Sequence, residues 1–377
     1  MKLLVISHTE HYLNNDNKIV GWGPTIKELD YLATIFEQVI HAAPLYQESA
    51  PSSALAYEQH NITFVSLMPS GGNGLKAKFK VLQITLKNIR IIHNLLKDVD
   101  FFQFRAPTGM GVLLIPYLIF YTSKTGWFKY AGNWMEEKAA WSYKFQRFCL
   151  TYLTNKPVTI NGKWPNQKKH LFTFDNPCLS EDEILDGKNL SRTKSFENKI
   201  NFIFVGKLID SKGVQRILDA FALIPKNHPK LGRLILIGDG QNIQKYKKFA
   251  LDHCIGAEFK GFMPKERINL ELKSAHVLLL PSDSEGFPKV VAEGINYNCI
   301  PIVSNVSCLD QYIQSKVNGI LLVQNNKQYL MDAILWILNQ SPTRLTQMAN
   351  EGRGNVEKFS YLNYLSCIKK TVLNLEQ

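Results

Sequence analysis

The 377-residue chain has six cysteines, Cys149, Cys178, Cys254, Cys299, Cys308 and Cys367, but no CxxC pair and no Cys/His cluster at zinc spacing. Cysteines scattered in this way suit a reducing compartment, where they pack as small hydrophobes. Neither a GxxxxGK[ST] loop nor a GxGxxG fingerprint is present, which disfavours P-loop and NAD-linked chemistry; GGNG at 71–74 fails both patterns. No apolar run reaches the roughly 20 residues that span a bilayer. The longest, VLLIPYLIFY at 112–121, reads as a buried helix or strand. MKLLVISHTE lacks the apolar length and small-residue cleavage site of a signal peptide. The expectation is a soluble or peripheral cytoplasmic protein with no low-complexity segment.

What the chain does have is positive charge, formally +12. Nucleic acid, an anionic membrane surface and an anionic substrate compete as explanations, beside a simply solvated basic surface. Small clusters occur at Lys76, Lys78 and Lys80 and at Lys245, Lys247 and Lys248. No basic run is interleaved with a nucleic-acid motif, so nucleic acid is the weakest of these readings.

Hydrophobic patterning indicates α/β architecture. KLLVIS (2–7), ITFVSL (62–67) and FFQF (101–104) read as strands, with helices over TIKELDYLATIFEQV and KAKFKVLQITLKNIRIIHNLLKD between them. This β-α-β-α-β order argues for parallel sheet with crossover helices. The polar stretch CLSEDEILDGKNLSRTKSFENK reads as a connection, after which the pattern restarts with NFIFVG, RLILIG, AEFKG, VLLLP, IPIVS and ILLV. Two Rossmann-like domains in tandem follow: residues 1–180, a connection at 181–199, and residues 200–355. A C-terminal helix is expected at 356–377. Ligands belong at the C-terminal ends of the strands.

Three strand ends in the second half carry candidate chemistry. After NFIFVG, Lys207 follows Gly206, and Lys212-Gly213 stands at a helix entry. Two ammonium groups near a helix N-terminus suit a phosphate or diphosphate, although these residues alone favour a turn with solvated lysines. Gly238-Asp239-Gly240 after RLILIG is a tight turn that can admit a ligand close to the backbone, although taken alone it favours a plain turn. VLLLPSDSEGFPKVVAEG reads strand, loop, helix. Pro288 suits a first helical turn, and the N–H groups near Gly286 and Phe287 can hold an anion or a hydroxyl. Glu285 in the loop is either a helix-capping charge or a two-oxygen acceptor for vicinal hydroxyls. Glu293, flanked by Val290, Val291, Ala292 and Ile295, is harder to assign to structure, because a helix packed on a sheet seldom buries an unpaired charge.

EGFPKVVAE resembles the Glu-(seven residues)-Glu signature of glycosyltransferase family 4, whose members are retaining. Gly206-Lys207-Leu208 with Lys212-Gly213, then Gly238-Asp239-Gly240, then FKGFMPKE at 259–266, are similar to further elements of that family, in its order. The resemblance covers the second domain. It implies a GT-B fold of two facing Rossmann-like domains with the C-terminal helix packed on the first, metal-independent catalysis without a cofactor, and a nucleoside-diphosphate sugar as donor. It implies that Glu293 holds the ribose, Glu285 meets the transferred sugar, Lys207 and Lys212 neutralise the diphosphate, and the backbone near Phe262 and Met263 meets the base. Lys207 stands where the family more often has arginine, keeping the charge without the bidentate fork.

The first domain matches less. Gly21-Trp22-Gly23-Pro24 lies where the family has a glycine pair near the donor phosphates. Asn133 stands where a cleft histidine is common, and Arg105 ends another strand; both read equally as structural residues. The implied function is retaining transfer to a glycan or lipid-linked acceptor, in bacterial surface polysaccharide synthesis. Basic charge, the helix from Lys76 to Lys97 and the aromatics Trp127, Phe128 and Tyr130 suit work on an anionic membrane, or else mere packing on the sheet. A non-catalytic sugar-nucleotide-binding subunit or another GT-B enzyme, such as an epimerase, is the alternative.

Overall fold

The computed structural model describes residues 1–69 and 75–375, with the backbone alone for residues 75–82. GGNG at 71–74 and the side chains of Lys76, Lys78 and Lys80 therefore lie outside the described residues. The chain divides into two compact units: Met1–Asp175 joined by the chain from Tyr364 onward, and Asn176–Asn363.

Along the first unit run β1 (Lys2–Ile6), β2 (His11–Leu13), β3 (Ile19–Trp22), α1 (Gly23–Ala33), β4 (Gln38–Pro44), β5 (Ala54–Ala56), β6 (Ile62–Leu67), α2 (Leu75–Lys97), β7 (Phe101–Ala106), α3 (Gly111–Phe120), β8 (Thr125–Tyr130), α4 (Trp141–Tyr152), β9 (Val158–Ile160) and β10 (Leu171–Thr173). Seven of the strands form one sheet in the order β10-β9-β8-β7-β1-β4-β6, all pairs parallel. Leu3, Leu4, Val5 and Ile6 are fully buried, as an apolar strand covered on both faces requires. One face packs on α2, α3 and α4 through Ile92, Leu96, Leu114, Leu118 and Leu150. The other packs on α1 and the returning C-terminal segment through Leu29, Leu32, Tyr364, Leu365 and Ile368.

The second unit runs α5 (Glu181–Leu190), β11 (Ile200–Val205), α6 (Val214–Leu223), β12 (Leu231–Ile237), α7 (Ile243–Asp252), β13 (Ala257–Gly261), α8 (Lys265–Ser274), β14 (Val277–Leu280), α9 (Lys289–Asn296), β15 (Ile300–Ser304), β16 (Ile320–Leu322), α10 (Lys327–Leu338) and α11 (Pro342–Arg353). Its sheet order is β13-β12-β11-β14-β15-β16, again wholly parallel. Numbered within the unit, that is 3-2-1-4-5-6, the doubly wound order whose direction reverses between β11 and β14. α12 (Tyr361–Ile368) leads the chain back to the first unit.

Four sequence expectations are corrected. The helix expected through Val39 stops at Ala33, and QVIHAAP becomes β4, held between β1 and β6; tertiary pairing overrides the apparent helical period. The expected connection at 181–199 is instead the start of the second unit, with α5 closed by a capping box in which Ser180 and Glu183 satisfy each other's backbone N–H. The return to the first unit comes at Tyr364, later than position 356, because Val356 and Phe359 are buried within the second unit's span. Trp127 and Phe128 are fully buried and Tyr130 is 2% exposed, so these strand aromatics are core and offer nothing to a membrane.

Candidate functional site

In the second unit the candidate residues converge at the reversal point of the sheet. Lys207 follows β11, and the Ser282–Pro288 loop follows β14, its immediate neighbour. Open doubly wound sheets bind ligands at this place, outside the carboxyl ends of the strands. Gly238, after β12, has φ +132°, and a Cβ there would collide with the Gly206 carbonyl. Only glycine lets these two turns approach. The N–H of Gly238 donates to the Gly261 carbonyl at 2.8 Å, and that of Leu208 to Asp239 at 2.8 Å, so three strand ends form one floor. Gly213, φ +84°, leaves room for the Pro281 carbonyl in the same way.

Lys212 donates to Glu285 Oε1 at 2.6 Å, and Ser282 Oγ donates to the same oxygen at 2.7 Å. Glu285 is thus held from β14's side and Lys212 from β11's side. Lys207 is exposed, with no ion pair to its ammonium among the described residues. Its charge, with that of Lys212, makes this edge attractive to an anion.

The loop is pinned from several elements. Arg216, in the first turn of α6, donates to the Pro281 carbonyl and, at 2.9 Å, to Asp283. Ser304 and Asn325 both donate to the Ser282 carbonyl, at 2.6 and 3.0 Å, and Ser307 donates to the Gly286 carbonyl. Phe287 is buried and stacks on Phe359 with centroids 5.0 Å apart. Its ring belongs to the core, which leaves its backbone N–H, the group proposed from the sequence, as what Phe287 can offer a ligand. Pro288 is the N-cap of α9, one position before the first helical turn expected for it.

Glu293, one turn into α9, has 17% of its side chain exposed and Lys265 at 3.9 Å. Burial pushes its carboxyl pKa up, against the pull of Lys265 and with the help of Glu183. Lys265 donates to Glu183 at 2.9 Å and to the Cys178 carbonyl at 2.5 Å. Burial pulls the ammonium's pKa down, but Glu293 and Glu183 outweigh it and leave it raised. Asn269 donates to Glu183 Oε1 at 2.8 Å. Glu183, Lys265 and Arg216 were passed over in the sequence. The Ser180-x-x-Glu183 capping signature was readable; its link to Glu293 was not, because it joins α5, α8 and α9. Phe262 is exposed and Met263 half-buried beyond β13.

The remaining candidates lie in the first unit. Arg105 does not stand free at its strand end: its two terminal nitrogens reach Glu28 at 2.8 and 3.3 Å. Lys129, its partner across β7 and β8, reaches the same carboxylate at 2.5 Å. All three are buried, so this is a structural ion triad, and the catalytic reading of Arg105 is withdrawn. Asn133 accepts from the Met135 N–H at 3.1 Å, a turn asparagine. Gly21 and Gly23 spare space for His11 and Leu55, respectively. A cavity of about 760 Å³ in the second unit, between Lys194–Glu197 and α11, is lined by none of the motif residues.

The fold is GT-B: solved structures of that kind align over the entire chain. Anabaena HepE in complex with UDP aligns over 100% of both chains at TM-score 0.70 and 14% identity, and its UDP-glucose complex at 0.69. At that identity the likeness establishes the fold alone. In sequence, residues 187–354 match the family described as glycosyl transferases group 1. An uncharacterized glycosyltransferase of Methanocaldococcus jannaschii is 29% identical over 176 residues, 46% of this chain and 48% of its own. Lipopolysaccharide 1,6-galactosyltransferase of Escherichia coli is 27% identical over 152 residues, 38% of this chain and 39% of its own. The chain thus spans about half the length of the curated relatives it matches, and the second-unit residues described above for this site fall inside the matched family segment, except Cys178, Ser180, Glu183 and Phe359.

Proposed function

We propose that this protein is a retaining, family-4-like glycosyltransferase. It moves a sugar from a nucleoside-diphosphate sugar to a glycan or lipid-linked acceptor, in bacterial surface polysaccharide synthesis at the cytoplasmic side of the membrane. The observation that carries the reading is the Lys212–Glu285 pair beside Lys207, set at the reversal point of a 3-2-1-4-5-6 sheet. A diphosphate and a polyol are the ligands such a pair suits: the ammonium for phosphate, the carboxylate for vicinal hydroxyls.

In this mechanism the C1–oxygen bond to the diphosphate breaks and a bond from C1 to the acceptor oxygen forms on the same face. The acceptor's proton leaves with the diphosphate. Lys207 and Lys212 stabilise the negative charge growing on the leaving group, the task a metal cation performs elsewhere, so no metal or cofactor is assigned. Glu285 orients the sugar, Glu293 binds the ribose, and the backbone near Gly206, Gly238, Gly286, Phe262 and Met263 lines the nucleotide. UDP and UDP-glucose in the HepE complexes favour a uridine diphosphate sugar. The likeness to a lipopolysaccharide galactosyltransferase favours a surface-glycan acceptor.

A thermal-shift panel of sugar nucleotides, followed by assays of donor hydrolysis and of transfer with anomeric analysis, tests this. Stabilisation by a UDP-sugar with hydrolysis and an α-linked product from an α-linked donor is expected. Stabilisation by none of the panel would sink the donor assignment, and an inverted product the retaining one.

A further inference from the structure

The formal charge of this chain is not spread evenly. Residues 75–173 hold sixteen Lys and Arg against four Asp and Glu, an excess of +12, equal to that of the whole chain; the rest is balanced. This basic quarter of the sequence contains α2, α3 and α4, which cover one face of the first unit's sheet.

The same helices carry exposed aromatic rings. On α4, Trp141, Phe145, Phe148 and Tyr152 recur at helical spacing, so all four fall on one stripe. Trp141 is 71% exposed and Tyr152 64%, while Gln146, Cys149 and Leu150 turn inward. Trp141 stacks on Phe145 at 5.4 Å, and Phe148 lies 5.4 Å from Tyr152. At the end of the adjoining α3, Tyr121 is 76% exposed and stacks on Tyr117 at 6.0 Å. Lys168 stands 5.5 Å over the Tyr152 ring, and Lys144 lies exposed on α4 itself.

Large exposed rings in ladders, with cations beside them, call for a partner. We propose that the outward face of α3 and α4 docks this protein on an anionic lipid bilayer. Trp and Tyr, with apolar bodies and polar tips, settle at the headgroup boundary. Lysines reach past them to lipid phosphates, their stems lying along apolar surface. A protein partner fits less well, since lysine is depleted from protein interfaces. No helix among the described residues is long and apolar enough to cross a membrane, so the contact is peripheral. The inference rests on the membrane-side part of the reading above and supplies its surface; it does not depend on the transfer chemistry.

The test is co-sedimentation of the full chain with vesicles of phosphatidylcholine, with and without phosphatidylglycerol. Binding is expected only with phosphatidylglycerol, and it should fall away at ~0.5 M salt, where screening shortens to a few ångströms. The triple variant Trp141→Ala/Phe148→Ala/Tyr152→Ala should bind ~10-fold more weakly. Its thermal shift with UDP should match wild type, so that loss of docking is separable from failure of the donor site. Should the triple variant not fold, Lys144→Glu/Lys168→Glu carries the test and should lose the response to phosphatidylglycerol. Equal binding by either folded variant, no binding to anionic vesicles, or complete displacement of vesicles by soluble heparin would overturn the proposal, the last in favour of a soluble polyanion.

Discussion

Lys212 and Glu285, seventy-three positions apart in sequence, form an ion pair at 2.6 Å between the loops that follow neighbouring strands of the second unit. On the proposed reading, in which Lys212 binds the donor's diphosphate, that diphosphate competes with a carboxylate for the ammonium.

From that competition, Glu285→Gln should bind UDP several-fold more tightly than wild type, because the ammonium is released to the phosphates, yet transfer sugar more slowly. Lys212→Ala should cut turnover by ~10²-fold, the usual cost of one donor to developing oxyanion charge. Calorimetric titration with UDP and steady-state kinetics read both. Weaker UDP binding by Glu285→Gln would show that the lysine is not a phosphate ligand.

Glu293 is held where its charge is disfavoured. Burial raises its pKa in the folded state above the unfolded value, despite Lys265. A raised carboxyl means that the folded state binds more protons, so stability declines as pH rises through the unfolded and then the folded pKa. Glu293→Gln should consequently melt higher than wild type at neutral pH and show a flatter stability profile across that window, while binding UDP less well. Denaturation at several pH values checks the first part, and titration with UDP the second. A lower melting temperature at neutral pH contradicts the assignment.

In the first unit, Glu28 answers two buried cations, Arg105 and Lys129. Removing the shared carboxylate takes the ion-pair partner from both cations. Glu28→Ala should destabilise by ~3–5 kcal/mol in urea unfolding. A change below about 1 kcal/mol, the range of exposed pairs, would mean that the triad is solvated and would reopen a role for Arg105 at a ligand.

A buried hydrogen-bonded chain in the same unit predicts acid sensitivity. His11 Nδ1 lies 2.8 Å from the Thr9 carbonyl, which can only accept, so Nδ1 carries the proton. Neutral His11 then accepts at Nε2 from Tyr57, 2.9 Å away. Tyr57 in turn accepts from His41 Nδ1 at 2.7 Å, and His41 Nε2 accepts from Ser7 Oγ at 2.8 Å. Burial lowers the pKa of His11 to about 4 and that of His41 well below its ordinary value, with His11 and Arg105 adding to the second. The unfolded state binds more protons below the ordinary histidine pKa, so stability is full above it and is lost as pH falls from there toward 4. The slope reaches ~1.4 kcal/mol per pH unit for each histidine. His11→Asn should flatten the slope by one histidine's share in urea unfolding between pH 7 and 4.5; an unchanged slope would locate the acid lability elsewhere.

Legibility differed between the two halves. β11, β12 and β14 were readable as short apolar runs, since a parallel strand buried on both faces has no polar alternation to disguise it. The motif at 282–294 was readable because its glycine, proline and glutamates sit close in sequence. β4 was missed because QVIHAAP follows a helix without a Gly or Pro stop and contains His41, a polar residue that is buried only through its bonds to Ser7 and Tyr57. α5 was missed because its composition is polar; its capping box, not its apolar content, starts it.

By itself the sequence determined the class of fold, the strand ends that carry the candidate residues and the choice of Lys207, Lys212, Glu285 and Glu293 as candidates, because each depends on local pattern. It also determined that the excess charge lies within residues 75–173. Only the tertiary structure decided which groups meet: that Lys212 is taken by Glu285, that Arg105 is taken by Glu28, and that Lys265 stands between Glu183 and Glu293. It also decided which aromatics are core, Trp127 and Phe128, and which are surface, Trp141 and Tyr152. Ion pairs and exposure are set by distances across strands and helices far apart in the chain, and no local window of residues encodes those distances.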